Sequence, residues 1–318
     1  MSTPGLLTAF LATIFWATSV FPFTKAGRVM TVESLNMLRL TAGTLLVLAA
    51  AIAFDRNFFS IFSSAYTRGW LWLGASGIVA LGIGDYFGLK MYNILSPRYG
   101  SVLTTLSPAM ALLMGIIFLN EQMNVVGLCG MGITITGVMT MSLGRTERNA
   151  IPDHGHGSVF TGIIFGIISA VCNGAALALS KKGFLEQSAQ MNSLQPLTGS
   201  FIRFAVATIV VLLFMACGKR LLPNVKNIKS QRAGTLRTAA TGVILGPLLG
   251  TGLSMAAIQH INVAVAQTIF ALVPVVALII SHFVYKEKIT RNALLGVLAA
   301  IAGVAILIWR MEITAVLS

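Results

Sequence analysis

The sequence predicts an all-α integral membrane protein with ten transmembrane helices arranged as two inverted five-helix repeats. Three observations carry this. First, 56% of the 318 residues are hydrophobic and only 10% are charged, which leaves too little polar surface to clothe a soluble globule. Second, the apolar residues fall into ten runs of about 20, the length that crosses a bilayer. Third, the pattern from Leu106 to Val138 returns 166 residues later, turning Pro108 into Pro274 and Glu121 into Glu287. Leu106, Ala111, Leu112, Leu128, Gly130, Ile135, Gly137 and Val138 recur at the same offset, making ten identities in 33 positions. Chance in such a composition gives roughly one in ten, so the match is an internal repeat.

In order, the spans run approximately 5–24, 34–54, 70–92, 98–119, 125–143, 159–180, 194–217, 235–258, 263–285 and 291–309. The first has no basic residues before it and is long enough to span, so it reads as a retained helix and not a cleaved signal. Residues 54–68 place Phe58, Phe59, Phe62 and Tyr66 at near-helical spacing, suiting a short helix in the membrane interface. Residues 144–157 form a polar linker with Arg145, Glu147, Arg148, Pro152, Asp153, His154 and His156. Two histidines beside one aspartate in a Gly-flanked loop are weak as a metal site. The linker divides the chain into a first repeat, 1–143, and a second, 158–318. Residues 218–232 carry Lys219, Arg220, Lys226, Lys229 and Arg232 and read as a basic loop.

Five spans per half is an odd number, so the second half enters the membrane in the opposite sense. Two such halves suggest a transporter with its substrate site near the midplane. Other helices pair as well: Thr24 and Lys25 match Ser180 and Lys181, and Arg39 matches Arg203 at an offset of 164. Both arginines lie early in their helices, where snorkelling to headgroups is the expectation. The charge of +13 lies mostly in short breaks between apolar runs, where it meets lipid headgroups; nucleic-acid binding is not expected. By the positive-inside rule the loops after helices 1, 3, 5, 7 and 9 are cytoplasmic and both termini outside. Cys129, Cys172 and Cys217 lack metal-ligand spacing and read as buried free thiols.

A Lys closes helices 1 and 6, an Arg stands early in helices 2 and 7, and a Pro in helices 4 and 9 precedes a Glu by 13 residues. Two glycines seven residues apart follow in helices 5 and 10. This joint arrangement, over residues 5 to 309, resembles the EamA branch of the drug/metabolite transporter superfamily. The resemblance implies ten helices around a central cavity and alternating access on small metabolites, often as an exporter. It leaves the substrate open, since that family carries amino acids, sugars, sugar nucleotides and drugs.

Pro108 and Pro274 remove a backbone donor inside a helix, which lipid tolerates only against protein or a wet cavity. Thr104 and Ser101 precede the first proline by one and two turns, and Phe270 and Gln267 precede the second. Such a face is either cavity lining or polar glue between helices. Glu121 and Glu287 stand three residues before the N-cap candidates Asn124 and Thr290, where a carboxylate meets the positive end of helix 5 or 10. Asp85 is the acid deep inside a span, and the second half puts Thr251 there. An ionised Asp at a helix centre costs about 2.5 to 3.5 kcal/mol, so Asp85 is the first candidate for proton or cationic-substrate contact; a pair with Lys90 is the alternative. In helix 1, Phe15, Trp16 and Thr18 match Cys172, Asn173 and Gly174 in helix 6. Trp16 and Asn173 need polar company at that depth, and Tyr86, Tyr92 and Asn93 extend the same aromatic and amide lining.

The substrate-binding candidates are thus Trp16, Asp85, Tyr86, Asn93, Ser101, Thr104, Asn173, Gln267 and Phe270. The function expected is secondary-active transport, export of amino acids or related small metabolites, in a bacterial inner membrane. Exchange of phosphorylated or nucleotide-linked sugars is the alternative, favoured if Lys25, Lys181, Arg39 or Arg203 points into the cavity. An enzyme would need a nucleophile–base pair, a metal cluster or a carboxylate dyad at depth, and the chain has no His-Glu-x-x-His or Gly-x-Ser-x-Gly. A channel would need filter-type loops or rings of like residues. The expected partners are a small-molecule substrate, membrane lipids and protons. No metal or cofactor is expected, and the residues choose neither monomer nor homodimer.

Overall fold

The computed structural model describes residues 2–95, 100, 103–142, 158–189, 193–285 and 290–317. Among them there are helices and no strand. The first repeat holds α1 (Thr3–Gly27), α2 (Val32–Phe54), α3 (Thr67–Gly77), α4 (Asp85–Ile94), α5 (Ser107–Leu119) and α6 (Val125–Ser142). The second holds α7 (Val159–Ala189), α8 (Pro196–Cys217), α9 (Leu221–Lys229), α10 (Ala233–Val243) and α11 (Thr251–His260). It continues through α12 (Val263–Phe270), α13 (Val273–Tyr285), α14 (Arg291–Ile308) and α15 (Arg310–Leu317). Among the described residues eight helical stretches are long and apolar enough to span a membrane, and Ser107–Leu119 and Val125–Met141 add two shorter apolar helices, giving the ten expected. The linker at 144–157 lies outside the described residues.

The repeat extends into the backbone. A π-helical segment, Ile78–Gly84, joins α3 to α4, and another, Ile244–Gly250, joins α10 to α11, displaced by the same 166 residues at both ends. Leu106 N–H donates to Leu103 and Met110 N–H to Leu106, while 166 residues on Leu272 N–H donates to Ile269 and Val276 N–H to Leu272. These bonds flank a two-residue break in each copy, at 105–106 and 271–272. Pro108 and Pro274 therefore sit in the first turn of α5 and α13, not inside a helix as expected. There the missing N–H has no intrahelical partner to lose.

The chain divides into two compact units. Unit I comprises Met1–Leu6, Ile83–Ala178 and Ile261–Ser318, and unit II comprises Leu7–Gly82 and Leu179–His260. In unit I, α6 and α14 run antiparallel with backbones in contact. A Cβ on Gly130 would come 2.8 Å from the Gly303 carbonyl oxygen, and one on Gly137 would come 2.7 Å from that of Gly296. The repeat equates Gly130 with Gly296 and Gly137 with Gly303, so each glycine touches the counterpart of the other, as a local two-fold demands. Small residues let helices approach closely where lipid supplies no hydrophobic drive.

In unit II, α2 and α8 are the antiparallel, repeat-related pair. Thr198 Oγ1 donates to Asp55 Oδ2 (2.6 Å) at one end and the Thr44 and Thr208 hydroxyls bond at 2.8 Å midway, while at the other end of α2 Ser34 Oγ donates to Asn224 Oδ1 (2.7 Å) on α9, the helix that follows α8. The second repeat's π-containing helix lies antiparallel on α1: Cβ atoms on Gly242, Gly246 and Gly250 would meet Phe23, Ser19 and Trp16 in turn. Gln187, fully buried, ties α7 to the start of α3 by accepting from Gly69 N–H (3.1 Å) and donating to the Ala65 carbonyl (2.9 Å).

Several expectations are corrected. The stretch after α2 forms two 3₁₀ turns, Phe58–Phe62 and Ser64–Tyr66, not one interfacial α-helix. Phe58 turns inward, edge-on to Phe201 at 5.4 Å, while Phe59 and Phe62 stay exposed. The basic loop contains a helix, α9, because Asn224 anchors it on α2 and Arg220 pairs with Glu33 at 3.1 Å. Arg203 does not snorkel: it is 5% exposed, with Nη1 donating to Met255 Sδ (3.2 Å) and its carbonyl against the backbone of Gly77. The thiols are free, yet Cys129 and Cys217 are exposed and Cys172 is half-buried. In a bilayer the outer face of an apolar helix meets lipid instead of a core.

Candidate functional site

The site is built where α4 leaves the first π segment. A π turn is a rare interruption of an α-helix and is frequent at functional sites. Asp85 and Tyr86 are the first two residues after it, both half-buried. At the matching place after the second π segment stand Thr251 and Gly252.

Unit I brings several predicted residues together. Gly88 lets α4 pack on α7, where a Cβ would lie 2.8 Å from Ser169 Oγ. One turn along α7, Asn173 Nδ2 donates to the Ser169 carbonyl (2.9 Å). The amide thus finds its company within its own helix, while among the described residues its Oδ1 has no hydrogen-bond partner. Lys90 does not pair with Asp85; its ammonium stands 5.6 Å from the centroid of the Tyr86 ring, within cation–π range. Phe87 meets Phe165 of α7 at 5.2 Å and closes the apolar side of that crossing.

Gln267 and Phe270 lie on α12, just before the break at 271–272. Gln267 is half-buried with its side-chain amide making no hydrogen bond to a described residue, whereas Phe270 is buried among packing residues. Thr104 is half-buried one turn before Pro108. Ser101 and the side chain of Asn93 lie outside the described residues. Trp16 belongs to unit II, where its indole lies on the backbone of Gly250.

Glu121 is structural, though not at the place expected. Its carboxylate accepts the Val263 N–H (2.9 Å to Oε2, 3.2 Å to Oε1), capping α12 and not α6. The turn that delivers it has Asn120 in the left-handed region at φ 51°. Asn124 does cap α6, accepting from Gly127 N–H (3.0 Å), and its Nδ2 donates to Thr314 Oγ1 (2.7 Å) and the Arg310 carbonyl (3.2 Å). Burial pushes the Arg310 guanidinium below its ordinary range, opposed by the Glu121 and Glu312 carboxylates. Thr290 caps α14 through Ala293 N–H (3.3 Å). Glu287 lies outside the described residues. Among the described residues no group of three His, Cys, Asp or Glu converges to hold a metal.

Three groups of this architecture escaped sequence reasoning. The π segments were one, although Ile78/Ile244 and Gly84/Gly250 are identities at the repeat offset. Ser169 was another, visible only as one turn before Asn173. The third was the packing of Lys90 on Tyr86, two residues four apart and so on one helix face.

Comparison with known proteins places these features in a family. The model of the EamA-like transporter family matches residues 3–143 and 160–309, one copy per repeat. The uncharacterized inner membrane transporter YhbE of Escherichia coli (strain K12) is 30% identical over 142 residues, 45% of this chain and 41% of that protein. Its namesake in Shigella flexneri matches to the same extent. The matched stretch thus spans about two-fifths of these relatives' length. A solved crystal structure at 14% identity superposes with a TM-score of 0.72 over 96% of both chains, a likeness of fold alone. The chain belongs to the EamA-like transporter family and is assembled from two EamA repeats whose apolar helices are built to cross a membrane.

Proposed function

We propose that this transporter is a secondary-active exporter of small zwitterionic metabolites, amino acids foremost, working by alternating access in the inner membrane. One observation carries the reading: the two copies differ where their matched π segments end. Asp85 and Tyr86 follow the first, Thr251 and Gly252 the second. A carboxylate and a phenol that the sister copy does without are not required by the fold, and an acid inside a membrane helix is a functional candidate by default. Tyr86, Asn173 and Gln267 add half-buried polar atoms that no described residue satisfies. Such atoms suit a ligand that brings an ammonium and a carboxylate of its own.

In this reading Asp85 takes a proton and the substrate cation in turn, and the repeats at 1–143 and 158–318 exchange access between the two sides. The relatives named as inner membrane transporters support the membrane assigned. The alternative, exchange of phosphorylated or nucleotide-linked sugars, has the buried guanidinium of Arg203 in its favour. Flux in proteoliposomes separates the two, using a panel of amino acids, their decarboxylated amines and sugar phosphates, with and without an imposed pH gradient. Proton-dependent counterflow of amino acids is the expected result. Flux of sugar phosphates alone, or of nothing, overturns the proposal.

A further inference from the structure

One end of unit II gathers eight cations around a single described carboxylate, Glu33. Lys25 and Arg28 close α1, and Lys219, Arg220, Lys226 and Lys229 come with α9. Arg232 and Arg237 open α10. All eight are exposed. They are brought to the same end because Ala26 and Met30 of α1 pack with Ala239 of α10, with Leu35 and Leu38 of α2 and Ile228 of α9 around them. Glu33 is the acid among them, and it is spent on Arg220. The other seven make no ion pair with any described residue.

The opposite end is different in kind. Arg68 and Lys182 share Glu186 there, at 3.1 and 3.4 Å, and Asp55 stands beside Arg56. Three exposed phenylalanines stand there as well, Phe54, Phe59 and Phe62. Unit II therefore has a basic end and an aromatic end.

We infer that the basic end, centred on α9, is a docking surface for anionic phospholipid headgroups, and that it fixes this end of the protein on the cytoplasmic side. Three features argue for lipid. The cations sit where membrane-spanning helices end, within reach of headgroups. Among them Leu222 is 71% exposed, an apolar side chain for the acyl boundary beneath the phosphates. Finally, α9 is held against α2 by the Ser34–Asn224 bond and the Arg220–Glu33 pair, so its charges are presented on a fixed element. Nucleic acid would offer phosphates but nothing for Leu222.

The test uses the full chain in nanodiscs of phosphatidylcholine with increasing phosphatidylglycerol, counting retained lipid by native mass spectrometry. Phosphatidylglycerol is expected to be retained over phosphatidylcholine. A basic residue near an anionic surface contributes about 1 kcal/mol, roughly fivefold in affinity, so the triple variant Lys226→Gln, Lys229→Gln, Arg232→Gln loses on the order of a hundredfold. Lys229→Gln alone loses about fivefold, and serves if the triple variant does not fold. Arg56→Gln, at the aromatic end, changes nothing. Equal retention of both lipids, or an unchanged preference in the basic-end variants, overturns the inference. Orientation is read in cells, with Cys129, Cys172 and Cys217 replaced by Ala. An impermeant maleimide should label Ser60→Cys from outside and Ser230→Cys only after permeabilisation; the reverse pattern also overturns it.

Discussion

The hydroxyls of Thr44 and Thr208, 164 residues apart, are hydrogen-bonded to each other at 2.8 Å in the middle of α2 and α8. Arg39 and Arg203 stand at the same separation, so the bond joins equivalent positions of the two repeats. A contact between a residue and its own counterpart marks where a two-fold passes. The α2–α8 pair thus meets on its local axis, with Asp55–Thr198 closing one end and Ser34–Asn224 tying α9 to the other end of α2.

The strength of that bond is measurable. Interhelical hydrogen bonds in membranes average about 0.6 kcal/mol, because the alternative partners are backbone carbonyls in the same helix. Here Thr44 also donates to the Leu40 carbonyl (2.8 Å). A double-mutant cycle with Thr44→Val and Thr208→Val, followed by unfolding in detergent, should give a coupling near that average.

Asp85→Asn removes the acid that the second copy lacks. The expected outcome is loss of the pH-gradient dependence of flux with the protein still folded, since Thr251 shows that the helix forms without a charge there. Full transport with unchanged pH dependence would remove Asp85 from the coupling role.

Gly250→Ala should act through Trp16. A Cβ at 250 has no room against the indole, so the ring must move, at a cost of about 1 to 3 kcal/mol for overpacking. If Trp16 lines the substrate path, apparent affinity falls together with stability. If it only packs, the thermal midpoint falls and affinity stays.

The first π segment can be locked either way. At the position of Leu81 the second copy has Pro247 inside its π segment, so Leu81→Pro should fold and hold the wide turn by removing an α-type donor. Deleting one residue from 78–84 should force the α register. If the π turn flexes during transport, both variants bind substrate and move it at least about tenfold more slowly. Wild-type rates in either exclude a moving part there.

Glu121→Ala removes the cap of α12. Losing an N-terminal cap costs about 0.5 to 2 kcal/mol, so the thermal midpoint drops, while Glu121→Asp, one methylene shorter, recovers part of it. Substrate affinity should be unchanged, since the carboxylate is spent on Val263.

The spans, the duplication and the caps at Asn124 and Thr290 were legible because each leaves a local mark: a long apolar run, a fixed offset, an oxygen side chain before a helix. The rest depends on partners far along the chain. Nothing near Glu121 says that its carboxylate reaches an amide 142 residues away. Nothing near Arg203 says that Gly77 brings a helix over it and seals it from the headgroups. Spacing places Phe58 and Phe59 equally well on an interface, and only Phe201 decides which ring turns inward. Of the candidate site, Asp85 was legible by depth alone, whereas the π turn that delivers it has no composition of its own.

The exchange of glycines between α6 and α14 bears on biosynthesis. The surface that Gly130 and Gly137 offer is complete when the first half leaves the ribosome, but α14, the helix that covers it, is translated only with the second half. Until then those backbones lack their partner, so the nascent first half is an unmated module. Separately expressed halves, split within 144–157, should therefore find each other and reconstitute flux.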